Sequence, residues 1–176
     1  AYNSAISTAG GVTTVINGGT FEGNGAGAVI SYGETVINGG TFDGAYGVVS
    51  KKTSSGETGS IVLPADSTAV INASKIAFVA QGDAASAGKV SAAGGTFNAP
   101  AVLGTIGTGV DKTSAANVTG GIYAADPSAY VPDNNASISY THENSTVYAV
   151  GKSSIDEVAQ QAQAGDTITV LSGDVA

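Results

Sequence analysis

The octapeptide Thr-Val-Ile-Asn-Gly-Gly-Thr-Phe occurs twice, at 14–21 and at 35–42, and an acid and a glycine follow each copy, Glu22-Gly23 and Asp43-Gly44. The offset between copies is 21 residues. Self-similarity at a fixed period of this length marks a stacked-repeat architecture, in which no repeat can bury its apolar face without its neighbours. A chain built this way must present the same inward face repeatedly, so the repeat is read before any local propensity is weighed.

Degenerate copies follow. Val70-Ile71-Asn72 repeats Val15-Ile16-Asn17, and Ile76 falls after Val70 as Phe21 falls after Val15. Gly94-Gly95-Thr96-Phe97 reads as a fourth copy and Gly120-Gly121-Ile122-Tyr123 as a fifth. The large apolar anchors are then Phe21, Phe42, Ile76, Phe97 and Tyr123, with gaps of 21, 34, 21 and 26 residues. The long gap reads as one period plus an insertion, the polar stretch 51–60. Within a repeat, three short strands alternate with Gly pairs or Asn-Gly steps, where the backbone turns sharply or takes positive φ. In the first repeat they fall at about 13–16, 20–22 and 28–32. Three strands in about 21 residues make one coil of a parallel β-helix. The expectation is an all-β, right-handed parallel β-helix of about five coils. Stacking would place Val15, Val36 and Val70 in one core ladder and the five anchors in another. Asn17 and Asn38 read as turn residues that stack in an asparagine ladder.

The C-terminal part changes texture. Asp126-Pro127 opens a turn, and the runs 137–141 and 146–150 alternate as a hairpin around His142-Glu143-Asn144-Ser145. Ser154-Ile155-Asp156-Glu157 has the form of a capping box, Gly165 stands where a helix C-cap belongs, and Thr167 to Leu171 returns to strand. The domain reading is coils over 1–125, a closing turn and hairpin over 126–152, and a capping helix and strand over 153–176 that would open a further module.

Composition narrows the function classes. Fourteen acids against six bases give a net charge of −8, which repels nucleic acid and anionic lipid and excludes both as expected partners. There is no cysteine, which removes disulfides and Cys-based zinc sites and leaves the compartment unassigned. No 18-residue apolar run and no basic-then-apolar leader is present. The strand-like text at Ala1-Tyr2 and at Gly173 to Ala176 reads as a segment cut from a longer protein.

Taken together, the Gly-Gly-Thr-Phe repeats, the phrase Gly-Gly-Ile-Tyr-Ala-Ala-Asp-Pro-Ser-Ala-Tyr-Val at 120–131, the hairpin ending Thr-Val-Tyr-Ala-Val at 146–150 and the phrase Ala164 to Leu171 resemble repeat modules of large surface proteins of Gram-positive gut bacteria. The resemblance covers about residues 12–50 and 90–176. It implies a right-handed parallel β-helix, an extracellular cell-surface address and an adhesin-like or stalk-like role. One departure stands out: such modules carry a Gly-rich or Asp-Gly hairpin turn where this chain has His142 to Ser145.

Chemistry is sparse. The chain has no arginine, and its six lysines are scattered, so the strong base and cation cluster of an acidic-sugar lyase are not evident. A hydrolase needs two carboxylates across one groove. Glu22 and Asp43 are the best pair, because stacking puts them on adjacent coils about 4.8 Å apart. At that separation like charges disfavour each other unless solvated or bridged by a cation, so these two are also the residues for a weak calcium or glycan contact. Their downstream equivalents read as Ala77, Asn98 and Ala124. His142 is the only histidine and reads as an exposed turn residue. The Gly pairs lack the Lys-Ser/Thr of a phosphate loop. A threonine array at Thr20, Thr41 and Thr96 is broken at Lys75 and Ile122, against an ice-binding face. No catalytic residue, metal site or cofactor is assigned. The leading expectation is a non-enzymatic segment of a cell-surface protein, a rigid adhesin body or stalk whose candidate partners are host or microbial glycans or surface proteins, bound weakly. Its rivals are part of a polysaccharide lyase or glycoside hydrolase, and a self-associating autotransporter passenger.

Overall fold

The computed structural model describes residues 3–174; Ala1, Tyr2, Val175 and Ala176, part of the strand-like text at the two ends, lie outside the described residues. The chain winds as a mostly β solenoid of about four turns. Its strands are β1 (Ile6–Thr8), β2 (Thr13–Ile16), β3 (Thr20–Ser31), β4 (Glu34–Ile37), β5 (Thr41–Lys51), β6 (Ser60–Leu63), β7 (Val70–Gln81), β8 (Lys89–Ala92), β9 (Thr96–Asn98) and β10 (Leu103–Ile106). A short helix, α1 (Lys112–Ala115), precedes β11 (Ala116–Val118) and β12 (Gly121–Tyr123). A 3-10 turn at Ser128–Tyr130, the hairpin β13 (Ser137–His142) and β14 (Ser145–Val150), α2 (Lys152–Ala159) and β15 (Thr167–Ser172) complete the order.

Strands β2, β4, β6, β8 and β11 stack in parallel as one wall. The second sheet begins with β1, β3, β5, β7, β9 and β12, also in parallel. In it β3, β5 and β7 are long and bend midway, so one strand forms two walls of a coil where two separate strands were expected. The register shifts between Gly23 and Gly27 and between Gly44 and Tyr46 mark the bend.

Register defines the core. Phe21 lies beside Phe42, Phe42 beside Ile71, Ile71 beside Phe97 and Phe97 beside Tyr123. The Phe21 and Phe42 rings stack at 5.0 Å and those of Phe97 and Tyr123 at 4.5 Å. Five anchors bound four turns, and the true spacings are 21, 29, 26 and 26 residues.

This corrects three expectations. The anchor of the third copy is Ile71, not Ile76; Ile76 pairs with Tyr46 on another wall. Val70 lies beside Thr41 and Thr96 and not over Val15 and Val36. Val15 is 54% exposed and Val36 half-buried, while Ile16 and Ile37 are buried. The reason is strand alternation: in Thr13–Ile16 and Glu34–Ile37 the inward positions are two apart, Thr14 with Ile16 and Thr35 with Ile37. The resemblance of Val70-Ile71-Asn72 to Val15-Ile16-Asn17 is therefore coincidental.

One backbone requirement recurs. Gly19, Gly40, Gly95 and Gly121 all stand two residues before an anchor, with φ of 110°, 116°, 99° and 108°. An L-residue is strained in that region, and a Cβ on Gly121 would come within 2.8 Å of the Phe97 ring. The third coil lacks the Gly pair and enters its anchor through Pro64 to Ala69. That substitution hides the true register in the sequence.

Extra residues enter at one corner. The first complete coil passes from Ser31 to Glu34 with two residues between, whereas the next coils insert loops closed by the bridges Lys52–Thr58 and Gly82–Ala87. The expected insertion 51–60 is therefore narrower. Lys51 belongs to β5 and Ser60 to β6, and Gly59 is buried, its N–H donating to the Lys51 carbonyl at 2.8 Å. Its own carbonyl accepts from Ser50 Oγ at 2.7 Å. Beside this corner a buried hydroxyl cluster, Thr8, Ser31 and Thr35, is satisfied internally, with Ser31 Oγ and Thr35 Oγ1 2.8 Å apart.

At the C-terminal end the direction of the sheet reverses. β12 pairs in parallel with β9 on one side and antiparallel with β14 on the other, after which β13 and β15 add antiparallel strands. The core end is covered by Ala125, Tyr130, Val131, Tyr148 and Val150. Helix α2 does not cover it. Ile155 and Val158 pack with Ile138, Tyr140, Ala149 and Ile122 on the outer face of the sheet. The helix also begins earlier and ends earlier than the capping-box reading, because Gly151, with φ 76°, is its N-cap. Ser154 lies inside the helix and its Oγ accepts from the Gly121 N–H at 3.1 Å.

Candidate functional site

The outer face of the anchor-bearing wall holds the residues singled out for binding. Glu22 and Asp43 are register partners on adjacent coils, as stacking required. The column continues differently from the expectation: the residue beside Asp43 is Asn72, not Ala77, and Asn98 follows. Asn72 Nδ2 donates to Asp43 Oδ1 at 2.8 Å, and Asn98 Nδ2 donates to Asn72 Oδ1 at 2.8 Å. The Asp43 carboxylate and the Asn72 amide oxygen thus each accept from the next coil. A second ladder of the same kind forms at the neighbouring corner, where Asn38 Nδ2 donates to Asn17 Oδ1 at 2.7 Å. Each of these steps along the stack is tied by one side-chain hydrogen bond.

Neither Glu22 nor Asp43 lines any of four shallow clefts on the surface of the described residues. The first, about 290 Å³, runs between Ala65 to Thr68 and helix α2, with Glu157 as its one titratable residue. A second, about 310 Å³, carries Glu34 and Glu57, both exposed. Among the described residues no three His, Asp or Glu side chains converge on one point where a metal would sit.

Two charged arrangements were not legible in the sequence. At the insertion corner Lys52 Nζ donates to Asp83 Oδ2 at 2.7 Å, tying the two loops together. This hydrogen bond, with backbone donation from Ser86, holds the Asp83 carboxyl down at about 2. Lys51 lies over the Tyr32 ring at 5.4 Å and Lys75 over Tyr46 at 5.7 Å, so both ammonium groups sit on aromatic faces.

The other arrangement surrounds His142. Asp166, with only 7% of its side chain exposed, accepts from Tyr140 Oη at 2.7 Å and from the Gln163 N–H at 2.7 Å, and pairs with His142 Nδ1 at 2.8 Å. Backbone donation from Gln163 is the largest of the effects that hold its carboxyl below the usual range, followed by Tyr140 and His142. His142, expected in the turn, is the last residue of β13 and a partner in a clasp that fastens the segment after α2 to the hairpin. Tyr140 and His142 are i and i+2 on one strand face; only the distant Asp166, 24 residues on, was missing from a local reading. None of the four clefts opens at this clasp.

Comparison with protein-family models, with curated proteins and with solved structures finds no match.

Proposed function

We propose that this chain is a non-enzymatic β-solenoid segment of a cell-surface protein, serving as a rigid spacer or adhesin body. The observation that carries the reading is the pair of polar ladders. The side chains that recur on the solvent face, Asn17 with Asn38 and Asp43 with Asn72 and Asn98, bond to one another along the stack rather than facing a common cleft. Residues arranged that way stiffen a rod and leave few free groups for acid–base work. The resemblance to surface-protein modules supports an extracellular address, and a net charge of −8 supports a solvated surface without nucleic acid. Where the rod touches a ligand, Glu22 and Asp43 are the residues for a weak glycan or calcium contact.

The test is a panel of neutral and acidic polysaccharides, with reducing-end release and unsaturated-product absorbance as readouts, with and without calcium. The expected result is no turnover above the protein-free rate. Turnover abolished by Glu22→Gln or Asp43→Asn would overturn the reading in favour of a carbohydrate-active enzyme.

A further inference from the structure

Asparagine followed by glycine is a chemically labile step, because glycine has no Cβ to obstruct the approach of its nitrogen to the asparagine side chain. The chain carries three such steps, Asn17-Gly18, Asn24-Gly25 and Asn38-Gly39. The fold treats them differently.

Asn17 and Asn38 are held in stacked turns. Asn38 Nδ2 donates to Asn17 Oδ1 at 2.7 Å. The Asn17-Gly18 step is bracketed by the Ile16 and Gly19 carbonyls, which accept from the Asn38 and Thr41 N–H groups at 2.8 Å each. The Asn38 carbonyl accepts from the Thr68 N–H at 2.9 Å. Gly39 is buried, and a Cβ placed there would come within 2.8 Å of Thr68 Oγ1.

Asn24 lies instead in the bend of β3. Register pairs Gly23 with Gly44 and Gly27 with Tyr46, so residues 24–26 stand against Ala45 alone, with no register partner in β5. On the other side the Asn24 carbonyl accepts from the Asn3 N–H at 3.1 Å. Gly25 has a φ of 78°. The Asn24 side chain is exposed and belongs to neither asparagine ladder. Glu22 is exposed as well, with buried Gly23 between them, so Asn24 shares the outer face of the Glu22–Asp43 pair.

We propose that Asn24 is a site of spontaneous deamidation, a slow chemical change of charge built into the bend. The Gly25 nitrogen gives its proton to solvent and bonds to Asn24 Cγ. The Cγ–Nδ2 bond breaks, and Nδ2 takes a proton from water and leaves as ammonia. One water molecule then opens the cyclic imide. Opening at Cγ leaves aspartate at position 24; opening at the backbone carbonyl leaves isoaspartate, whose main chain runs through Cγ. Either product adds a third carboxylate to the face that carries Glu22 and Asp43. The extra main-chain methylene of isoaspartate falls in a segment already longer than its neighbour in β5.

The test incubates native and urea-unfolded chain side by side at mildly alkaline pH. Proteolysis and fragment-ion mass spectrometry locate conversion at each step, and each native rate is divided by the unfolded rate of the same step. A hydrogen bond that must first be broken slows cyclisation roughly fivefold, so Asn24 should lead Asn17 and Asn38 by at least about tenfold. Asn24→Ser should also remove the more acidic form that anion exchange resolves in aged native protein. Native conversion at Asn17 or Asn38 that keeps pace with Asn24 overturns the proposal. So does an Asn24 that stays intact in the native chain after the unfolded chain has converted, or an acidic form that persists in Asn24→Ser.

Discussion

Replacing Ile71 and Ile76 by alanine, one at a time, separates the observed register from the one that the repeat suggests. Ile71 is fully buried between Phe42 and Phe97, and the backbone at Gly47 already presses against it, since a Cβ there would come within 2.2 Å of Ile71 Cγ2. Losing three carbons removes about 2.4 kcal/mol of transfer free energy at about 0.8 kcal/mol each. The rings on either side cannot close the gap, and the cavity raises the total to about 3–4 kcal/mol. Ile76 is half-buried on an outer face, its Cδ1 lying where a Cβ on Gly104 would come within 2.5 Å. Water can fill the space it vacates, so its truncation costs only about 1 kcal/mol. Urea unfolding followed by far-UV circular dichroism, with unchanged slopes, gives both numbers. A difference of about 2 kcal/mol corresponds to a melting-temperature gap of roughly 4–8 °C for a domain of this size. Equal costs, or a larger cost at Ile76, would refute the register and with it the assignment of the core column.

At the insertion corner, deleting Ser54 to Gly56 should leave the urea midpoint within error, whereas Gly59→Ala, whose Cβ would meet the Ser31 carbonyl at 2.2 Å, should cost about 1–3 kcal/mol. In Lys52→Ala, the Asp83 titration followed by carboxyl NMR should move up from about 2 towards 3.8. The folded-state value is the depressed one, so the stability this pair contributes is complete above pH 3.8 and disappears as pH falls through about 2. The clasp has the same sign: Asp166 is held below 3.8, so acid should release the 160–169 segment first. Tyr140 and His142 are the titratable groups that face it. Hydrogen exchange of those amides should rise on acidification in the native chain and be already high, and flatter with pH, in Asp166→Asn.

The solenoid was legible because its anchors are aromatic and its turns are glycine: Phe21, Phe42, Phe97 and Tyr123 each follow a Gly pair that only one backbone path uses. The third coil was misread because Pro64 to Ala69 replaces that pair and Ile71 is no larger than Ile76. Val15 was misplaced because counting from an anchor across a positive-φ turn does not preserve strand parity. The Glu22–Asp43 pairing followed from the period, but Asn72 was invisible as its continuation until the register of Ile71 was known. The Asp166 clasp was hidden for a different reason. Its members lie on either side of a helix, and no periodic pattern links 142 with 166. Helix α2 was sensed from its apolar spacing, yet its docking on the outer face depends on Ile122 and Ala149, which belong to distant strands.

The reversal of strand direction at β14 has a consequence for what can add to the sheet beyond it. A purely parallel coil ends in an edge unlike the one it began with, so copies joined by such edges meet head to tail and nothing in the geometry stops the next addition. Here the last parallel strand, β12, receives an antiparallel neighbour, and β13 and β15 continue the sheet in that antiparallel sense. The hairpin therefore changes the edge that any following element must pair with, from the parallel kind to which coils add into an antiparallel one.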